Sequence, residues 1–425
     1  MGISVIKQPA GKSAGRDPDL AGTVAAIINR VRDEGEKALI ELTEKFDHVP
    51  LKTVSVSSDT VAEAYREVPE ATLKHLHFAA SRIRAVAKRQ LECLSPLHYK
   101  SDIPGVELGH RLIPVESCGC YVPAGRHPLP SSALMSVTTA RVAGVGHIAA
   151  CSPPSPAHRG IDPVVLAAMD IAGADAIYCM GGAQAIAAYA CGAGPVRKAD
   201  LIVGPGNRYV TEAKRQVLGD VGIDGLAGPS EVLIIADETA NPRFIAIDLL
   251  SQAEHDPDAK PILVSTSAAI IEQVQREVEE LLAELPTKDA AALSWANNGA
   301  VYLTGSMADA VSLANEIAPE HLELQVAPSK EKDIAGELKH YGSLFVGHYA
   351  PVAFGDFVSG TNHILPTMST ARYSSGVWVG TFIKTSFHQY VSRKGCEALA
   401  PSAAHFAEME GLPAHRDSVR LRIGE

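Results

Sequence analysis

Apolar side chains recur at helical spacing through Leu20, Val24, Ile27, Ile28 and Val31, directly after Asp17-Pro18, a pair that opens helices. A second long helical period starts near Glu70 and runs through Leu73, Leu76, Ile83 and Val86 to about Leu94. The first hundred residues therefore read as helical. From about residue 110 the texture changes to short apolar runs, each closed by a Gly, Pro or Ser turn. Such runs lie at Gly119–Val122, His147–Cys151, Ala176–Met180, Leu201–Val203 and Val232–Ala236. AGVGHIAAC at 143–151 is echoed by AGADAIYCM at 172–180, the spacing of one β-α unit. Buried strands follow at Pro261–Thr266, Ala300–Thr304 and Ser343–Val346, separated by helical stretches at 268–285 and 307–317. Strands alternating with helices predict parallel sheets with right-handed crossovers.

The expected fold is α/β, with two doubly wound portions and helical extensions at both ends. The pattern divides the chain into a helical N-terminal region with part of the first α/β unit (1–109), a first α/β domain (110–236), a second portion (237–385) and a helical tail (386–425). A length of 425 residues fits two large domains with appendages. The tail is expected to pack on a partner subunit.

Composition narrows the partners. A net charge of −11 argues against nonspecific binding to nucleic acid or anionic membrane. The apolar stretch from Val164 to Gly194 is interrupted by Asp170, Asp175 and Gln184, which argues against a membrane span. Seven cysteines without a CxxC pair read as reduced, buried thiols, and no targeting signal is legible at the start, so a cytoplasmic location is expected.

Four segments could carry chemistry. In QAEH, Gln252 and His255 are three apart on one helical face, behind an Asn241-Pro242 start, and can converge on a point. A histidine favouring a helix C-terminus explains the same letters. APEH at 318–321 holds Glu320 and His321, which suit general acid–base work or an ordinary helix start. GDFVSGTNHILPT at 355–367 holds Asp356 and His363 in a polar loop, and Glu410 and His415 flank a Gly-Leu-Pro turn in the tail. GPGN at 204–207 and GGAQA at 181–185 each follow a strand and open a helix, as anion-binding turns do, although neither is GxGxxG.

In this order, YVPAGR (121–126), GGAQAIAA (181–188), GPGNRYVTEAKRQV (204–217), AGPSEVLIIAD (227–237), DLLSQAEHDPD (248–258), APEHLEL (318–324), GDFVSGTNHILPT and EGLPAH (410–415) closely resemble the histidinol dehydrogenase family. The resemblance spans nearly the whole chain. It implies two incomplete Rossmann-like domains in a homodimer whose extensions exchange between subunits to form shared active sites. It further implies a zinc ion held by Gln252, His255 and Asp356 of one subunit and His415 of the other. Such a thiolate-free N/O set suits zinc as a Lewis acid. By the same resemblance Glu320 and His321 are catalytic, Tyr121, Gln184 and Asn207 bind NAD, and Ser230, His363 and Glu410, together with His321 and the metal ligands, contact substrate. The implied reaction is an NAD-linked oxidation of a small primary alcohol through the aldehyde to the carboxylate, using two NAD.

Several stretches depart from the biosynthetic pattern. SSGVWVGTFIKT at 374–385 carries Trp378 where a small residue is usual and Thr381 where an acid is usual, and resembles catabolic relatives such as sulfopropanediol dehydrogenase. The expected substrate is therefore a non-histidinol alcohol such as 2,3-dihydroxypropane-1-sulfonate, with L-histidinol as the alternative. A zinc hydrolase using Glu320 as base is the alternative of another class.

Overall fold

The computed structural model describes residues 2–10, 18–124 and 128–425. Asp17 and the Gly125-Arg126 end of YVPAGR lie outside the described residues. Two mostly parallel sheets, wrapped by helices, give the α/β fold that the alternating pattern predicts.

In the smaller of the two, five parallel strands lie in the order Ala176–Cys179, His147–Ser152, Ser117–Tyr121, Leu201–Val203, Gly222–Ile223. Numbered along the chain, that order is 3-2-1-4-5. The larger sheet runs Ile3–Lys7, Ala300–Thr304, Lys260–Ser265, Glu231–Ala236, His321–Gln325, Ser343–Val346. Without its antiparallel edge strand Ile3–Lys7, its order is again 3-2-1-4-5. The central strands Glu231–Ala236 and Ser117–Tyr121 are buried at every position, as strands covered on both faces must be. Each face of each sheet is sealed by its own apolar cluster: Val24, Ile28, Val31 and Leu39 cover one face of the smaller sheet, and Ile245, Leu249 and Leu250 one face of the larger.

Four findings differ from the sequence reading. Ile3–Lys7 is a strand on Ala300–Thr304 and not part of a helical region; five half-exposed residues are too few to show a period. Glu231–Ala236, grouped by the sequence with the 110–236 portion, is the middle strand of the larger sheet, because both its neighbours come later in the chain. Leu97–Lys100, Val106–Pro114 and Ile383–Val391 form a separate antiparallel sheet that joins segments far apart in sequence. His321–Gln325 is a fully buried strand whose polar letters alternate with Leu322 and Leu324, so its inward face carried no apolar signal.

An open α/β sheet has a crevice at the carboxyl ends of its strands where the strand order reverses. In the smaller sheet that crevice lies past Tyr121 and Val203. In the larger sheet the equivalent place, past Ala236 and Gln325, is filled by Asp237. Its carboxylate accepts the Thr239 N–H and hydroxyl (2.9 and 2.6 Å) and the Ala327 N–H (3.1 Å), and pairs with Lys330. Burial works to raise this carboxyl, but those hydrogen bonds outweigh it and hold the group below its ordinary value. Asp237→Ala leaves the part-buried Thr239 and Ala327 N–H groups without their acceptor and is expected to cost about 1 to 2 kcal/mol, read from the denaturant midpoint. An unshifted midpoint would remove Asp237 from this role.

No helix among the described residues is long and apolar enough to cross a membrane.

Candidate active site

The reactive groups gather at the amino edge of the larger sheet, opposite the filled crevice. Asn241 caps the helix Pro242–Ala253 by accepting the N–H groups of Arg243 and Phe244, and Pro242 starts it. The helix ends at Ala253, two residues earlier than the sequence suggests; His255 sits on a following turn whose N–H bonds Gln252 O at 3.3 Å. Gln252 is buried and His255 acts electrostatically on Asp356, so the helix end delivers both toward one place.

Glu320 and His321 enter the strand His321–Gln325 after Ala318, which takes a left-handed conformation to close the preceding helix. Both are anchored on a single residue, Glu231. Its N–H donates to Glu320 Oε2 at 2.9 Å, and its carbonyl accepts from His321 Nδ1 at 3.0 Å. A carbonyl oxygen only accepts, so Nδ1 carries the hydrogen and Nε2 is the nitrogen that faces the site. Nε2 is buried, 3.5 Å from Asp356 Oδ1, an ion-pair separation rather than a hydrogen bond.

The electrostatics follow from that burial. Burial pushes the Glu320 carboxyl up to about 7, against the lowering influence of His321 and the Glu231 N–H. For His321, burial works downward, but the Glu320 charge and Asp356 outweigh it and raise the imidazole to about 9. Burial also opposes the Asp356 charge, yet His321, His363 and His255 around it hold its carboxyl below the ordinary value. The site therefore centres on one ionised carboxylate that feels the charges of three imidazoles. An acid near neutrality beside it can both take and give a proton.

The loop that follows Asp356 ties this edge to the smaller sheet. His363 Nδ1 donates to Asp356 O at 2.9 Å, and its Nε2 lies 3.4 Å from Ser132 Oγ on the helix Pro130–Ala143. Asn362 donates to Met135 O, and Thr367 Oγ1 accepts the Gly228 N–H at 2.6 Å. Burial holds the His363 imidazole below its usual value. Ser230, next to Glu231, bonds Lys260 N through its carbonyl and stands at the same edge.

Across this bridge, the crevice of the smaller sheet holds Tyr121, Gln184 and Asn207. The Tyr121 hydroxyl accepts the Gly182 N–H (3.2 Å), and buried Gln184 stands in the first turn of the helix Gly182–Cys191. Asn207 Oδ1 caps the helix Arg208–Val217, which directs its amide NH2 outward. Gly204 must be glycine: its φ is +121°, and a Cβ there would stand 2.0 Å from Tyr121 O. Its N–H is held by Asp224, and buried Lys214 pairs with Asp224 and bonds Gly204 O. The start of the GPGN turn is thus held by Asp224 and Lys214, two side chains from later in the chain.

Sequence reasoning missed Glu231, although one acid set directly before VLII in an otherwise apolar strand was a usable signal. The carboxylate of Glu231 also pairs with Lys260 (2.8 Å) and accepts the Met368 N–H (3.2 Å). Glu410 and His415 are not brought to this cluster by their own chain's electrostatics or packing. Glu410 lies exposed at the end of the tail helix Arg393–Met409 and His415 exposed on the helix Pro413–Ile423, and the two helices pack on each other.

The donors fit zinc. Among the described residues no three His, Cys, Asp or Glu side chains of one chain converge as a metal cluster. The expected set needs only His255 and Asp356 of that kind from one chain, with Gln252 beside them. An ionised, mostly buried carboxylate with nitrogen and amide donors is chemistry that zinc accepts.

The histidinol dehydrogenase family model matches residues 11–423. The chain is 44% identical over 408 residues to the histidinol dehydrogenase of Ruegeria pomeroyi, covering 96% of this chain and 93% of that one. It is 43% identical over 405 residues to histidinol dehydrogenase 1 of Trichormus variabilis (95% and 92% covered). The crystal structure of histidinol dehydrogenase from Elizabethkingia anophelis superposes with a TM-score of 0.91 at 37% identity, covering 98% of this chain and 94% of that one. These relatives overturn the expectation of a sulfonated, non-histidinol alcohol, and the structure supplies a physical reason. Thr381 caps its own turn by accepting the Trp378 N–H, the Trp378 ring lies over Gly380, and Val379 N bonds Gln90. Both departures therefore have local partners in the fold. With its fold, its buried acid–base pair and its matched length, the chain belongs to the histidinol dehydrogenase family of zinc- and NAD-dependent oxidoreductases.

Proposed function

We propose that this chain oxidises L-histidinol through the aldehyde to L-histidine, reducing two NAD per turnover. The observation that carries the reading is the anchoring of Glu320 and His321 on one residue, through the backbone N–H and C=O of Glu231. One alcohol, one water and two NAD give one carboxylate, two NADH and three protons. His321 Nε2, with Nδ1 fixed on Glu231 O, takes the hydroxyl proton in the neutral form of the ring, whose share grows as pH rises toward about 9. Glu320, with its carboxyl near 7, takes a proton from the water that attacks the aldehyde carbon.

Gln252, His255 and Asp356 would hold the zinc together with His415 of the partner subunit. When bound, that ion supplies a Lewis acid that polarises and orients the alcohol oxygen. Tyr121, Gln184 and Asn207 would line the cofactor crevice, where NAD supplies the electron acceptor. Ser230, His363 and Glu410 would hold the substrate. Two incomplete Rossmann-like, doubly wound domains are the reading of the paired 3-2-1-4-5 sheets. The helical tail, whose Glu410 and His415 are exposed, would complete the site of a second copy in a homodimer.

Incubating the zinc-loaded protein with NAD and L-histidinol is expected to give NADH, whereas no NADH from L-histidinol would refute the reading. Sharing of the site has its own test. His415→Ala and His255→Ala should each be inactive, and mixed subunits should regain activity through one intact site. Absence of any regain would place both residues in the same subunit's site.

A further inference from the structure

The helix that carries Gln252 and His255 presents a third polar residue on the same face, Asp248. It meets the face of the strand His321–Gln325 on which His321, Glu323 and Gln325 alternate. A polar seam thus runs inward from the site between helix and strand. Its inner end is a pair of acids. The Glu323 and Asp248 carboxyls hydrogen-bond each other, and Gln325 Nε2 donates to both, at 3.0 Å to Glu323 and 3.3 Å to Asp248. Burial pushes both carboxyls well above the ordinary range, so the pair shares a proton.

The other oxygen of Glu323 reaches a third element. Oε1 accepts the N–H of Val352 at 3.1 Å. Val352 opens the helix Val352–Phe357, whose next turn bears Asp356. Val352 is buried in the same apolar cluster as Leu249 and Leu250, where water cannot replace that bond. Glu323 therefore ties the helix bearing Gln252, through Asp248, to the strand bearing His321 and to the helix bearing Asp356.

A buried acid pair is a poor device for stability, since apolar residues of similar size commonly serve as well or better. Its geometric effect is specific: it fixes the Gln252/His255 helix against the Asp356 helix. We propose that Asp248 and Glu323 form a positioning pair that sets the spacing of the two metal-bearing helices and thereby the affinity of the chain for zinc. The proposal rests on the assignment of Gln252, His255 and Asp356 as ligands.

Zinc affinity of the full metal-free chain, measured by competition with a chromophoric chelator, tests it. Glu323→Met keeps side-chain size and removes the tie to Val352; zinc should bind about tenfold or more weakly, while the metal-free thermal midpoint holds. Glu323→Gln keeps an acceptor for Val352, its NH2 is taken by Asp248 and by the otherwise unpartnered Gln325 Oε1 once that amide turns over, and it should stay within about threefold of the parent. Val352→Pro removes the N–H and leaves both acids intact. Proline is tolerated at a helix's first position, and Pro351 already has the extended conformation that precedes proline. This variant should match Glu323→Met, and it decides the matter if Glu323→Met does not fold. Parent-like zinc affinity in Glu323→Met or Val352→Pro overturns the proposal, as does a Glu323→Gln as weak as Glu323→Met. Asp356→Asn separates the two levels. If it binds zinc like the parent, the ligand assignment itself falls; if it loses zinc while Glu323→Met keeps it, only the positioning role falls.

Discussion

His321→Asn is expected to lower kcat for L-histidinol by about a thousandfold, the usual scale for removing a positioned base, while zinc content stays at the parent level. Asparagine can still donate an N–H toward Glu231 O, so the anchor at the start of the strand survives. What disappears is Nε2, the only ring nitrogen free of that anchor and the one facing Asp356. The loss should appear in kcat and much less in KM, because the lost group acts on a proton that moves only during reaction. A kcat within about tenfold of the parent would show that another group takes the proton.

Glu320→Gln should act on the second half of the reaction. The glutamine oxygen can still accept the Glu231 N–H, so fold and anchor are retained, but the amide takes no proton. Oxidation of added histidinal should fall by about a hundred- to a thousandfold, and NADH formed per L-histidinol consumed should drop from two toward one. The pH profile supplies an independent sign. Burial raises the parent carboxyl to about 7, and the base works in its ionised form. Parent activity on the aldehyde should therefore rise as pH increases through about 7, and that limb should vanish in Glu320→Gln. An unchanged profile would take Glu320 out of the step.

How far the sequence revealed this arrangement depended on the kind of signal each residue leaves. The paired sheets were legible because buried parallel strands such as Glu231–Ala236 write continuous apolar runs bounded by turns. Ile3–Lys7 was hidden because its pairing partner, Ala300–Thr304, lies far along the chain and three of its five residues are exposed. Glu320, His321, Asp356 and His363 stood in recognisable motifs, and the structure brings those four together. Glu231 was missed because it acts through its own N–H and C=O, which no side-chain pattern encodes. Glu323 and Asp248 were missed for a related reason: two acids separated by most of the larger sheet's sequence meet only once helix and strand are packed. Thr381 misled in the opposite direction. Its replacement of an acid looked like a change of substrate, whereas its hydroxyl caps a turn beside Trp378. The roles of Glu410 and His415 were reachable only through family resemblance, since an exposed tail carries no periodic imprint of the site it would serve.

The most direct measurement is complete turnover of a limiting amount of L-histidinol by the zinc-loaded protein with excess NAD, with product and NADH quantified together. Two NADH and one L-histidine for each L-histidinol consumed is the expected result. An L-histidinol that remains unoxidised while a sulfonated diol is converted would contradict the assignment.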